Sequence, residues 1–117
     1  MRLSTATKVR RLEGANAVKR LQRAFGYYLD RGAWDEAADL FSADATIEFG
    51  LDGIFRGRQR VREYLCTLGG GHVGLQYGQI HEYFQLQPVV RVAADGDSAT
   101  GYWRTFLLAG QLGKSAS

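Results

Sequence analysis

Midway along the chain, after Gly69-Gly70-Gly71, the hydrophobic period changes. Before the glycines apolar residues recur at helical spacing; after them they alternate one by one, as strands require. QIHEYFQLQPVVRVAA (79–94) reads as one long strand, bent at Pro88, which cannot donate to a ladder. Asp95-Gly96-Asp97 turns the chain into a final strand, SATGYWRTFLLAG (98–110), and the polar tail 111–117 is expected to fray. Two long antiparallel strands in the second half restrict a 117-residue chain to few architectures.

The first half supplies what packs on them. From about Ala15, Val18, Leu21, Phe25 and Tyr28/Leu29 form a helical stripe opposite Lys19, Arg20 and Arg23. Gly32 suits the left-handed residue that ends a helix. A short second helix carries Trp34, Ala37, Ala38 and Phe41 on one stripe, with Asp35 and Glu36 at its positive end. In ATIEFGLDGIF (45–55), Ile47, Phe49 and Leu51 alternate as the dry face of a strand, and Asp52-Gly53 marks a hairpin. GRQRVREYLCTL (57–68) is a third helix with Val61, Leu65 and Leu68 in register. Helices covering one face of a curved antiparallel sheet make an α+β domain over 14–117, preceded by a basic, flexible arm over 1–13.

Composition excludes several classes. No apolar run approaches membrane-spanning length, and the single Cys66 rules out an internal disulfide, which suits a reducing cytoplasm. The net charge of +3 owes much to Lys8, Arg10, Arg11, Lys19, Arg20 and Arg23. No nucleic-acid motif accompanies them, so they read as an arm and a solvated helix face. The Ser-, Thr- and Arg-rich start has some transit-peptide character but lacks a secretory apolar core.

Gly69, Gly71 and Gly74 match G-x-G-x-x-G by letter, but a helix precedes and a strand follows, the reverse of a dinucleotide loop. His72 and His81, the only histidines, have no second ligand at metal spacing, and Cys66 has no activating base. His81 shares a strand face with Tyr83, Gln85 and Gln87, opposite Ile80, Glu82, Phe84 and Leu86. Such a polar row is either solvated or lines a wet cavity, and periodicity favours the solvated face. Asp30 stands at a helix C-terminus, where a carboxylate is disfavoured. It is either a surface residue tied to Arg31 or the turn, or an acid aimed into a pocket beside Trp34; the residues alone favour the surface.

YLDRGAWDEAADLFSADATIEF, then FRGRQRVREYL, then LQPVVRVAADGDSATGYWR, in that order, resemble the SnoaL-like branch of the nuclear transport factor 2-like superfamily. The resemblance implies a cone: a curved antiparallel sheet over three helices, around an apolar pocket. It implies cofactor-independent lyase, isomerase or cyclase chemistry on an apolar oxygenated substrate, or a non-catalytic ligand-binding or dimerisation module. It makes Asp30 the pocket acid, with His81 or Tyr83 as hydrogen-bonding partner and Tyr28, Trp34, Phe49 and Trp103 as pocket wall. Three departures accompany it. Leu29 stands where dehydratase relatives carry a tyrosine, and Tyr83 where a histidine is common. Relatives also continue with two closing strands, so the resemblance leads us to expect a truncated or inactive fragment, or a homodimer or strand-exchanged oligomer that covers TFLLAG.

Overall fold

The computed structural model describes residues 4–68 and 71–112. Helix α1 spans Thr5–Asp30, α2 Trp34–Asp39 and α3 Arg58–Leu68. Strands β1 (Thr46–Phe49) and β2 (Gly53–Arg56) form one antiparallel ladder; β3 (Gln79–Val92) and β4 (Ala99–Gln111) form the other. The α+β class follows, with three helices and antiparallel strands.

α1 starts well before the expected Ala15 and takes in most of the segment expected to be a flexible arm. Ser4 caps it, its Oγ accepting the Thr7 N–H at 3.1 Å. Thr7, Arg10 and Arg11 line a cavity with residues 92–97, and a Cβ on Gly14 would stand 3.2 Å from Val92. The far end of the long hairpin thus gives the basic first turns something to rest on, a long-range contact that no local period reports. At its other end α1 closes in a Schellman motif: Gly32 N–H donates to the Leu29 carbonyl and Ala33 N–H to that of Tyr28. Gly32 has the expected left-handed backbone, φ 67°.

The core lies where α2 packs against the end of α1 on one side and α3 on the other. Leu29, Trp34, Ala37, Ala38, Val61 and Leu65 form one buried cluster, flanked by Phe25, Tyr28, Phe41 and Ile47. Ala37 and Ala38 let α2 approach α3 closely, and Arg62 bridges Asp35 and Asp39 at 2.8 and 2.7 Å. Cys66 is half-buried against this cluster. Burying Leu65 completely contributes about 2–3 kcal/mol.

The hairpin at Asp52-Gly53 forms, but through a 3-10 turn over Gly50–Asp52. That turn ends β1 at Phe49 and leaves Leu51 fully exposed; Phe49 is also exposed, so of the expected dry face only Ile47 packs on the core. In the long hairpin the expected bend is a β-bulge. Gln87 and Pro88 together oppose Trp103 between the pairs Leu86↔Arg104 and Val89↔Tyr102, and Gln87 takes φ 52°. Of the tail, Gln111 ends β4 and Leu112 N–H donates to the Gly78 carbonyl at 2.7 Å; 113–117, where fraying is expected, lie outside the described residues.

The largest departure concerns which face of β3 is covered. His81, Tyr83 and Gln85 turn towards α1, and His81 is only 8% exposed. The apolar row Ile80, Phe84 and Leu86 faces outward, joined across the ladder by Phe106 and Leu108 and beyond the bulge by Val89 and Tyr102, all exposed. The polar row is therefore not the solvated face. α1 presents Gln22 and Asp30 to β3, and those groups need polar partners, while Gly26 leaves room for the Gln85 amide.

Candidate functional site

Asp30 is the last residue of α1, and its Oδ1 accepts the Tyr83 main-chain N–H at 2.6 Å. The only ladder β3 makes among the described residues is with β4, so its other edge leaves main-chain donors to be satisfied, and the carboxylate takes one. The corner behind it is tightly made. Gly74 N–H donates to the Gly32 carbonyl at 2.9 Å, and a Cβ on Gly32 would stand 2.7 Å from the Gly74 backbone. The Trp34 indole, 3% exposed, donates to the His72 carbonyl at 2.7 Å. The segment 72–74 is thereby docked on the α1–α2 corner through main-chain groups, while the His72 side chain is exposed.

His81 lies edge-on to Trp34 (ring centroids 6.3 Å) and to Tyr83 (5.1 Å). Its Nδ1 is buried and has no hydrogen-bond partner among the described residues. Burial raises the Tyr83 pKa above its ordinary value, and the Asp30 carboxylate pushes it further in the same direction. The phenol therefore stays protonated at neutral pH and is a donor, not a base.

Two cavities meet at this wall. The first, about 270 Å³, lies between α1 and β3 and is lined by Gln22, Phe25, Gly26, Leu29, Phe49, Tyr83, Gln85 and Thr105. The second, about 330 Å³, is lined by Asp30 and His81 together with Tyr27, Arg31, Leu75 and residues 79, 80 and 82. The residues expected as one site are thus divided. Asp30 and His81 share the polar cavity; Tyr83 and Phe49 line the apolar one; Tyr83 ties the two together through its N–H. Trp34 backs His81 from the core, and Tyr28 packs against that core. Trp103 lines neither cavity; its ring lies over Gly101 on the same strand.

Gln22, Gln85 and Gly26 were not foreseen. Gln22 Nε2 donates to Gln85 Oε1 at 2.6 Å, and Gln85 Nε2 donates back to the Gln22 main-chain carbonyl at 3.2 Å. A Cβ on Gly26 would run into the Gln85 amide. A glycine inside a helical pattern, costing about 1 kcal/mol against alanine, was the available signal. Among the described residues no group of three or more His, Cys, Asp or Glu could hold a metal ion, and no helix is long and apolar enough to cross a membrane.

Three helices packed on antiparallel strands, with a cavity between α1 and β3, are an arrangement of the nuclear transport factor 2-like type. The model of the SnoaL-like domain family matches residues 10–116. The chain belongs to that family. No curated protein sequence matches it. Among solved structures it is similar to a protein provisionally named scytalone dehydratase from Novosphingobium aromaticivorans, with TM-score 0.75 and 16% identity over 96% of this chain and 68% of that one. It is also similar to ActVI-ORFA from Streptomyces coelicolor, with TM-score 0.68 and 15% identity over 86% and 72%. A third, Aln2 from a Streptomyces species, gives TM-score 0.66 and 14% identity over 100% and 74%. At these identities the likeness concerns the fold.

Proposed function

We propose that the protein binds a small apolar, oxygenated molecule between α1 and β3 and acts on it by cofactor-independent proton transfer, as a lyase, isomerase or cyclase. The observation that carries this reading is the Asp30–Tyr83 link: the carboxylate, which lines the polar cavity, accepts the main-chain N–H of the residue whose protonated phenol lines the apolar one. Removing a proton beside a carbonyl needs a base on one side and a donor to the developing oxyanion on the other. Asp30 is the base or relay, through the oxygen not held by the Tyr83 N–H. Tyr83 is the donor, with His81 beside Asp30 as its partner. The fold neighbour named for scytalone dehydration supports the same reaction class.

The test is Asp30→Asn, assayed with scytalone and related hydroxylated naphthalenones. An asparagine carbonyl can still accept the Tyr83 N–H, so the variant should fold and bind while losing turnover. Unchanged turnover would overturn the reading. A second reading is a non-catalytic ligand-binding module, favoured by Asp30 Oδ1 already serving the β3 edge. It predicts that Asp30→Asn is silent and that only Asp30→Ala weakens the fold.

We further propose a homodimer through the outer face of the long hairpin. Phe84 and Phe106 stand paired at its centre, ring centroids 6.1 Å apart, with Glu82 on one side along the strands and Arg104 on the other. A second copy placed with its strands reversed brings unlike charges near each other around an apolar middle.

A further inference from the structure

We propose that the apolar cavity selects an uncharged aromatic ligand carrying a hydroxyl or carbonyl oxygen, and that the Gln22–Gln85 amide pair reads this oxygen. The inference rests on the small-molecule reading above and specifies what that site accepts.

The walls Phe25, Leu29, Phe49 and Tyr83 are aromatic or aliphatic, and the remaining polar side chains, Gln22, Gln85 and Thr105, are all neutral. An anion placed there would lose its hydration without meeting a cation, at a cost of several kcal/mol. The volume of about 270 Å³ falls just under the roughly 300–1,000 Å³ of drug-sized sites, which limits the occupant to one or two fused rings.

The two amides orient each other. The main-chain carbonyl of Gln22 can only accept, so Gln85 must turn its NH₂ to it and its oxygen to Gln22 Nε2. Each amide then keeps one N–H, and Gln22 Oε1 makes no bond to any described residue. Gly26 leaves the room in which the Gln85 amide lies on the helix. Both rotamers are therefore set by folding, so the ligand does not bear the ordering entropy, roughly 1.5–2 kcal/mol for a glutamine. A site that presents fixed amide donors and an acceptor discriminates against an analogue that lacks the matching oxygen.

Binding of 2-naphthol, naphthalene and 2-naphthoate, followed by protein NMR at neutral pH, tests this. Expected is the order naphthol, naphthalene, naphthoate. Gln85→Leu should weaken naphthol about tenfold, the worth of one hydrogen bond, while leaving naphthalene unchanged. Gln22→Met, which keeps an unbranched chain, carries the same expectation if Gln85→Leu does not fold. Naphthoate binding as well as naphthol, or an equal loss for naphthol and naphthalene, overturns the proposal. Asp30→Asn separates the two readings, since naphthol selectivity should survive it even though turnover does not. Lost selectivity with Asp30-dependent turnover sinks only the present inference, and intact selectivity with Asp30→Asn silent sinks only the catalytic one.

Discussion

Gly32 and Gly26 are both required as glycines, for different reasons. Gly32 combines a left-handed backbone with the Gly74 main chain 2.7 Å from where a Cβ would stand. Gly32→Ala should therefore cost more than the roughly 1–2 kcal/mol of the backbone strain alone, read by urea unfolding. Gly26→Ala gains about 1 kcal/mol of helix propensity but displaces the Gln85 amide, so stability should change little while naphthol affinity falls. Tyr64 supplies a pH-dependent prediction. Its hydroxyl donates to Asp52 at 2.8 Å, and its pKa rises to about 12, chiefly through burial and then through that bond. A raised folded pKa means that the stabilisation is intact below about 10, the unfolded value, and is lost as pH climbs through about 12. Unfolding midpoints should fall across that window, and Tyr64→Phe should flatten the fall. Tyr83 works in the same sense, so turnover that uses its phenol as donor should persist through neutral pH and decline in alkali.

Among the elements, α2 is the most dependent on its neighbours. It has six residues and no side-chain N-cap, too short to persist alone. Its place is held by the buried Trp34, Ala37 and Ala38 and by the Arg62 bridge from α3, where both carboxylate partners raise the guanidinium pKa. The bridge is solvent-exposed, so Arg62→Ala should lower the melting temperature modestly, and by less in high salt. Leu65→Ala, opening a cavity where α3 meets the core, should cost about 2–5 kcal/mol. Legibility at this level was uneven. Gly32, Asp52-Gly53 and Pro88 carry turn chemistry in their own letters; the corners at Gly32 and Pro88 are where they were expected, and the hairpin turn lies just before Gly53, over Gly50–Asp52. The start of α1 was misread because its first turns are polar and gain support only from the distant 92–97 loop.

Taken together, the chain is elongated, about 58 Å along its longest axis, because the hairpin extends beyond the core. Its outer sheet face leaves Phe106 60% exposed among six other apolar side chains. An apolar face of this kind is the surface on which the proposed dimer rests. Phe84→Lys combined with Phe106→Lys should convert a dimer to monomer in sedimentation velocity without changing the circular dichroism spectrum. A wild-type monomer at high micromolar concentration would count against the dimer.

The letters alone settled most of the helices and strands and which residues share a face, though not the first turns of α1 or the 3-10 turn at Gly50–Asp52, because period and turn chemistry are local properties. Asp30, His81, Tyr83 and Phe49 became site candidates only through the family resemblance, since the residues alone favoured the surface for Asp30 and the solvated face for His81 and Tyr83. Which face is covered was not legible. A period of two says that His81, Tyr83 and Gln85 point together, but whether they meet water or a helix depends on what α1 presents opposite them. The packing of α1 on β3 turned the polar row inward, separated Asp30 and His81 from the apolar cavity, left Trp103 outside both, and placed Gln22 against Gln85. Those contacts join residues up to 63 positions apart, and their energy exists only once the two elements touch.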